Sequence, residues 1–371
     1  MVSPARFTIL ALCFCHSMAA LHRLQPPSSR VVHMAGQSTT EFGAYSSYLS
    51  STTRPAGYTS YLQITELLED SGKSARYLAD MRSTLDALGD AEHVVLPHVS
   101  LSLTGRSASP SMSTVDGINA GLYDTALVQF AAAIPLLGRP LFLRVGYEFN
   151  GHWNNYSAPA YIQAWRRIEH ALAKNATTRA TIALVWDMSC DAIAPADPCT
   201  TPAECWAQYW PGDDVVDWAG VNVFQAGRGK PFSSMPNSTC VLGFADEARK
   251  REFPVLIAES FPRYVGTTNG EASWEGWFAP FFDVLLKHPA VQGWSYIDRD
   301  CRPKAQGGTR SKCVGGLWGD ARIEPRNASY VGTLYQQAIA TVAEFVHAGT
   351  LAATCEVLGV AGCGQDGDLD A

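Results

Sequence analysis

Short apolar runs recur along the chain, separated by stretches with helical spacing. The clearest run is Leu141-Phe142-Leu143, which continues through Arg144 and Val145 into Tyr147-Glu148-Phe149-Asn150-Gly151. A run so short and so apolar is expected to be a strand buried on both faces. Val31–Gly36, Val94–Val99, Thr181–Trp186, Val215–Phe224, Phe253–Glu259 and Val291–Ile297 read the same way, and Tyr58–Ile64 alternates more weakly. Between them, Ser74–Leu88 repeats Tyr77, Leu78, Met81, Leu85 and Leu88 at helical period. Tyr123–Leu137 reads as a helix stopped by Gly138. Ser157–Lys174 puts Tyr161, Trp165, Ile168 and Leu172 on one face, with Ser157 placed to cap it and Pro159 in its first turn. Ala245–Arg251, Trp274–Lys287 and Tyr330–His347 are further helices. Tyr45–Gly57, Ser189–Tyr209 and Asp298–Gly316 are expected loops.

Strand and helix alternate about eight times, which predicts an α/β protein with a parallel sheet. That number suits a single-domain (β/α)8 TIM barrel over residues 21–348 with long stapled loops; a doubly wound open sheet is the alternative arrangement. Residues 349–371 are small and acidic and read as a loose tail that a Cys355–Cys363 bridge would pin.

Composition narrows the setting. With 47% apolar and 17% charged residues, the 371-residue chain can bury a large core. A formal charge of −7 argues against nucleic acid and anionic membranes as partners. The 10 Trp, 14 Tyr and 15 Phe serve a large core or, in part, stacking platforms in a cleft. Residues 1–20 have the form of a secretory signal peptide: Arg6, an apolar run Phe7–Cys15, then Ser17-Met18-Ala19. Eight cysteines remain after it, an even number that suggests disulfides in a secreted chain. None is in a CxxC pair, so zinc is not expected. Sequons at Asn155, Asn175, Asn237 and Asn327 fit the same extracellular route. No segment is long enough to span a membrane.

Glu148 and Glu259 each close an apolar strand, by count the fourth and seventh of eight. In a barrel they would face each other across the C-terminal mouth, where the chemistry of such barrels resides. Two opposed carboxylates suit glycoside hydrolysis, one protonating the leaving oxygen and the other attacking the anomeric carbon. A salt-bridge role is the ordinary reading of either glutamate alone. The histidines are too scattered for a metal set, and no GxSxG or HExxH motif occurs. Ser71-Gly72-Lys73-Ser74 ends like a phosphate loop, but Leu67 stands where its first glycine belongs. No metal or cofactor is expected.

Three segments in order resemble glycoside hydrolase family 26. Arg144–Trp153, RVGYEFNGHW, is similar to that family's acid/base motif R-x-x-H-E-M-N-G-x-W. Tyr209–Asn222, YWPGDDVVDWAGVN, resembles its Y-Y-P-G-D-x-Y-V-D-x-x-G segment, and Pro254–Glu259 its nucleophile strand. The likeness runs from about Val31 to Tyr330. It implies a (β/α)8 barrel acting with retention through a covalent glycosyl–enzyme, with Glu148 as acid/base and Glu259 as nucleophile. The paired strand-end glutamates and aromatic mouth make the first reading a secreted, endo-acting and monomeric enzyme on β-linked polysaccharide. The likeness also implies that Arg144 stabilises Glu259 from below. Asn150, Trp153 and Asn222 would line the cleft. His98 resembles the family's third-strand histidine, with a core histidine satisfied by backbone as the equal alternative, and Trp294 and Tyr296 match the eighth strand, where the family has an aromatic floor, with core packing as the equal alternative. The chain departs from the family pattern at Tyr147, at Phe224 and at Ser260-Phe261. These departures motivate a second reading, a catalytically weak barrel that binds carbohydrate.

Overall fold

The computed structural model describes residues 22–68, 70, 72–105, 111–192, 197–224, 236–302, 313, 318–361 and 363. Eight parallel strands close on themselves: β1 (Val31–Gly36), β2 (Gly57–Gln63), β3 (Leu96–Ser102), β4 (Leu141–Val145), β5 (Ile182–Ser189), β6 (Trp218–Phe224), β7 (Val255–Phe261) and β8 (Val291–Ile297). Each pairs with the next, and β8 returns to β1 with His33 opposite Trp294. Helices pack outside, so the chain is a (β/α)8 TIM barrel. Outside this ring, a two-residue strand β9 (Phe345–Val346) adds to the start of β1.

Every strand residue from β3 to β8 is buried, because one face meets the barrel interior and the other meets helices. Alternate residues therefore decide what fills the barrel. Val32, Met34, Leu96, Phe142, Ala183, Val185, Trp218 and Leu256 form a dry plug in its lower half. Phe142 meets Trp218 edge-on there, with centroids 5.5 Å apart. Two residues further along β3, β4 and β5, the same inward face presents His98, Arg144 and Asp187. On β6 it reaches Asn222, four residues past Trp218. The apolar plug thus carries a polar layer directly above it.

β7 breaks this count. Leu256 faces the plug, so a regular strand would turn Glu259 outward to the helices. The register slips there: Ile257 pairs with Val221, but Glu259 pairs with Asn222. One extra residue, a bulge, restores the inward aim of Glu259.

Several elements differ from expectation. Thr39–Tyr48 is a helix, capped by Ser38 accepting from the Glu41 N–H at 3.3 Å, where a loop was expected from Tyr45. Its Ser- and Thr-rich sequence hides the helical period. Ser157 sits at the start of the Ala158–Ala173 helix but makes no capping bond. The segment Pro236–Lys250 is helical well ahead of Ala245, and the helix Pro325–Thr341 stops short of His347. The region expected as a loose tail contains a helix, Leu351–Val357, and Leu358 joins the plug beneath the barrel. Burying Leu358 and Cys355 gives this segment an apolar reason to dock.

Disulfides join Cys190 to Cys240, Cys199 to Cys205, Cys301 to Cys313 and Cys355 to Cys363. No helix among the described residues is long and apolar enough to cross a membrane. Asn155 and Asn175 are exposed, and the Asn175 side chain also caps a short helix by accepting from Thr178 N–H. The 1–20 segment and the Asn237 and Asn327 side chains lie outside the described residues.

Candidate active site

The site begins where β4 ends. Gly146 and Glu148 both have left-handed backbone, at φ of 55° and 52°. Glycine is required at 146, since a Cβ there would lie 2.8 Å from Leu103 and Tyr161 side-chain atoms. Glu148 is no glycine, so its conformation must be imposed by neighbours. Its N–H donates to Asp187 Oδ2 at 3.1 Å, and the Phe149 N–H donates to the Asp187 carbonyl at 3.2 Å. Asn154 Nδ2 donates to the Tyr147 and Glu148 carbonyls at 3.0 and 2.9 Å.

This turn carries the Glu148 carboxyl across the mouth toward Glu259. Asn222 Nδ2 donates to Glu148 Oε1 at 2.9 Å and to Glu259 Oε1 at 3.3 Å. Two oxygens held by one nitrogen cannot be farther apart than those two lengths combined. Arg144, fully buried, donates from Nη2 to Glu259 Oε1 and from Nη1 to Asn222 Oδ1 at 3.1 Å. Its Nη1 also lies 3.8 Å from Asp187 Oδ2. Glu259 Oε2 accepts from Gln37 Nε2 at 2.9 Å, and Gln37 Nε2 also donates to the Tyr61 hydroxyl. On the other side, the indole N–H of half-exposed Trp153 donates to Glu148 Oε2 at 2.9 Å.

One guanidinium serves three acids here, and the charge balance shows in their protonation. Burial first, and then the Glu259 charge, push the Glu148 carboxyl up to about 7, against the opposing pull of Asn222 and Arg144. Burial likewise lifts Asp187 to about 7, although Arg144 opposes it. Below them, burial and the Arg144 charge hold His98 well under the usual imidazole range. The Arg144 guanidinium also lies 4.7 Å from the Tyr147 ring centre and 5.9 Å from that of Tyr61. Those two rings meet edge to face at 5.6 Å. The departure at Tyr147 thus places a cation–π partner on the arginine that holds Glu259.

The structure brings together Glu148, Glu259, Arg144, Asn222 and Trp153. It does not bring together all of the expected residues. Asn150 is fully buried; its amide donates to the Ser189 and Ala192 carbonyls and accepts from Ser189 N–H, so it clamps two loops and does not line the cleft. His98 lies in the barrel interior with Nδ1 2.9 Å from the Thr59 hydroxyl, early in β3 and not at its C-terminal end. Trp294 and Tyr296 face the helix layer. Trp294 stacks on His33 at 4.5 Å, and the Tyr296 hydroxyl donates to the Ala321 carbonyl. Neither forms an aromatic floor; the inward residue between them is Ser295, whose hydroxyl is 2.7 Å from that of Thr59. Period-2 parity on β8 decides this, and Gly293 and Ser295 carry no ring. Phe224 packs edge-on against Trp318, with centroids 4.8 Å apart. Gln37, Tyr61 and Asp187 complete the site. Asp187 is legible as an acid closing an apolar run, with loop capping or substrate contact as its expected role; Gln37 follows a legible strand, but residue type alone does not mark it.

A barrel with two opposed carboxylates at its C-terminal mouth is an arrangement that glycoside hydrolases use. Relatives by sequence and by fold carry that class name. The β-1,3-xylanase of Alcaligenes sp is 26% identical over 316 residues, covering 80% of this chain and 61% of that protein. The β-1,3-xylanase TXYA of Vibrio sp is also 26% identical, over 80% of this chain and 62% of its own length. The chain thus spans less than two thirds of these relatives. No family model matches. Among solved structures, a Cellulomonas fimi endo-β-1,4-mannanase double mutant superposes with a TM-score of 0.57 at 14% identity, covering 92% of this chain and 78% of that one. The catalytic domain of a Bacillus sp. JAMB-750 GH26 endo-β-1,4-mannanase gives 0.55 at 14%, covering 87% and 89%. These two share the barrel.

Proposed function

We propose that the chain is a secreted, retaining glycoside hydrolase that cuts β-linked polysaccharide internally, as a monomer and without metal or cofactor. The carrying observation is the single Asn222 amide nitrogen bonded to both Glu148 and Glu259. Its two bond lengths of 2.9 and 3.3 Å hold one oxygen of each carboxyl against the same nitrogen, which supports the close pairing of retaining enzymes, roughly 5–5.5 Å, over the wider spacing that inverting enzymes use to fit a water. In the first step the Glu259 carboxylate attacks the anomeric carbon and the glycosidic C–O bond breaks. The Glu148 proton passes to the departing oxygen. In the second step a water gives its proton to the Glu148 carboxylate and attacks the same carbon, releasing Glu259. Arg144 offsets the Glu259 charge and fixes one of its oxygens, leaving the other to Gln37. Tyr147 and Phe224 leave this carboxylate pair intact, which favours an enzyme over a barrel that only binds glycans.

The sequence relatives make β-1,3-xylan the first substrate to try, with β-mannan, β-1,4-xylan and β-glucan beside it. Proton NMR of the reducing ends is expected to show the β-anomer forming first. An α-anomer first would overturn retention. Binding without any product, from folded protein, would favour the binding barrel. The four disulfides support an oxidising compartment, and exposed Asn155 and Asn175 are available to carry N-glycans there.

Because Glu148 must hold a proton to act, kcat/KM is expected to fall on the alkaline side with an apparent pKa near the value of about 7 that burial and Glu259 impose. The raised group is charged above that pH and has no proton to give. A pH–rate profile that stays flat from pH 6 to 9, roughly the window in which a perturbed carboxyl would titrate, would contradict it.

A further inference from the structure

Asp187 takes part in neither step above, yet it is fully buried beside both carboxylates. It is the sixth residue of β5, one strand over from the Glu148 turn. Its Oδ2 accepts the Glu148 N–H and its backbone carbonyl accepts the next N–H, that of Phe149. Two consecutive amides of the left-handed turn therefore hang on one residue. The neighbouring strand is shaped to admit it. Gly220 is its register partner on β6, and a Cβ there would lie 2.8 Å from Val185 Cγ1, 2.9 Å from Asp187 Oδ1 and 3.0 Å from Asp187 Cβ. The side chain is also tied to the charge centre, with Oδ2 3.8 Å from Arg144 Nη1.

Such an arrangement does for Glu148 what the residue cannot do for itself. A non-glycine residue at φ of 52° relaxes unless its surroundings over-determine it. Asn154 holds the turn's carbonyls from the solvent side, and Asp187 holds its amides from inside. We propose that Asp187 is the positioning residue for the proton donor, locking the Tyr147–Phe149 turn so that the Glu148 carboxyl stays above Asn222. It acts through the backbone and touches no substrate. The role rests on Glu148 being the acid/base.

The test uses Asp187→Ala, Asp187→Asn and Gly220→Ala on the full secreted chain, with phenyl and 2,4-dinitrophenyl β-1,3-xylobiosides as probes. The dinitrophenolate leaves without protonation, whereas phenolate needs the acid. A misplaced proton donor is expected to cost Asp187→Ala about 100-fold in kcat/KM on the phenyl glycoside but no more than about threefold on the dinitrophenyl one. Asp187→Asn keeps an oxygen to accept the Glu148 N–H and should recover most of the loss. Gly220→Ala crowds the carboxyl from the other side and should resemble Asp187→Ala, which covers the case in which the latter fails to fold. Equal losses on both leaving groups, or no loss, would overturn the proposal. A crystal structure of Asp187→Ala or Gly220→Ala needs no substrate. Glu148 is expected to leave the left-handed region in it, and an unmoved Glu148 would overturn the positioning role. A displaced Glu148 in a protein whose wild type cleaves neither glycoside would instead count against the hydrolase reading.

Discussion

Glu259→Ala is expected to reduce kcat/KM on the cleaved polysaccharide by at least about 10⁴-fold, the scale seen when a covalent nucleophile is lost. The carboxylate sits on a bulge that aims it into the mouth, bonded by Arg144, Asn222 and Gln37 from three directions. Among the described residues, the other acids at this site are Glu148, across the cleft, and Asp187, fully buried with Oδ2 3.8 Å from Arg144 Nη1, and neither is placed to replace it. Removing the side chain leaves room for a small anion beside Arg144. Azide added to this variant is expected to attack the anomeric carbon directly and yield the α-glycosyl azide from an activated β-glycoside. Retention of more than a tenth of wild-type activity would sink the nucleophile assignment.

Glu148→Ala carries the second largest effect, about 10²–10⁴-fold in kcat/KM on substrates with poor leaving groups, the usual range for a general acid. Three features argue for it. Its carboxyl is raised to about 7, so a proton is available near neutrality. Its oxygens are held by Asn222 and Trp153. Its backbone is held out of the ordinary region, which is where functional residues store strain. An activated aryl glycoside should still form the glycosyl–enzyme, and azide should then give the β-glycosyl azide, the opposite anomer from the Glu259 variant. The alkaline limb of the rate profile should vanish. The same azide anomer from both variants would end the two-carboxylate assignment.

How legible the site was depends on the kind of information each part needs. Glu148 and Glu259 could be found because each ends a run of apolar residues, and strand ends at one face of a barrel converge. Arg144 stood out because an arginine within such a run needs a buried acid beside it. Trp294 and Tyr296 misled for the complementary reason. They lie on a strand buried on both faces, where the pattern does not say which face is inward. Asn150 misled because a polar residue beside the Glu148 turn is as well suited to tying loops as to touching substrate, and here its amide is used up by Ser189 and Ala192.

The order of the eight strands, the two strand-end glutamates and the buried arginine were all written in the local pattern, since burial on both faces and a charge in an apolar run are properties of short segments. The distance between the acids was not, nor was the inward turn of Glu259. That depends on a single-residue slip between β6 and β7, and a slip is a relation between two strands that neither one specifies. The same is true of Gln37, Tyr61 and Asp187, which become part of the site through contacts with Glu259 and Glu148 at separations of 222, 198 and 39 residues along the chain. Contacts so distant in sequence exist only once the barrel has closed.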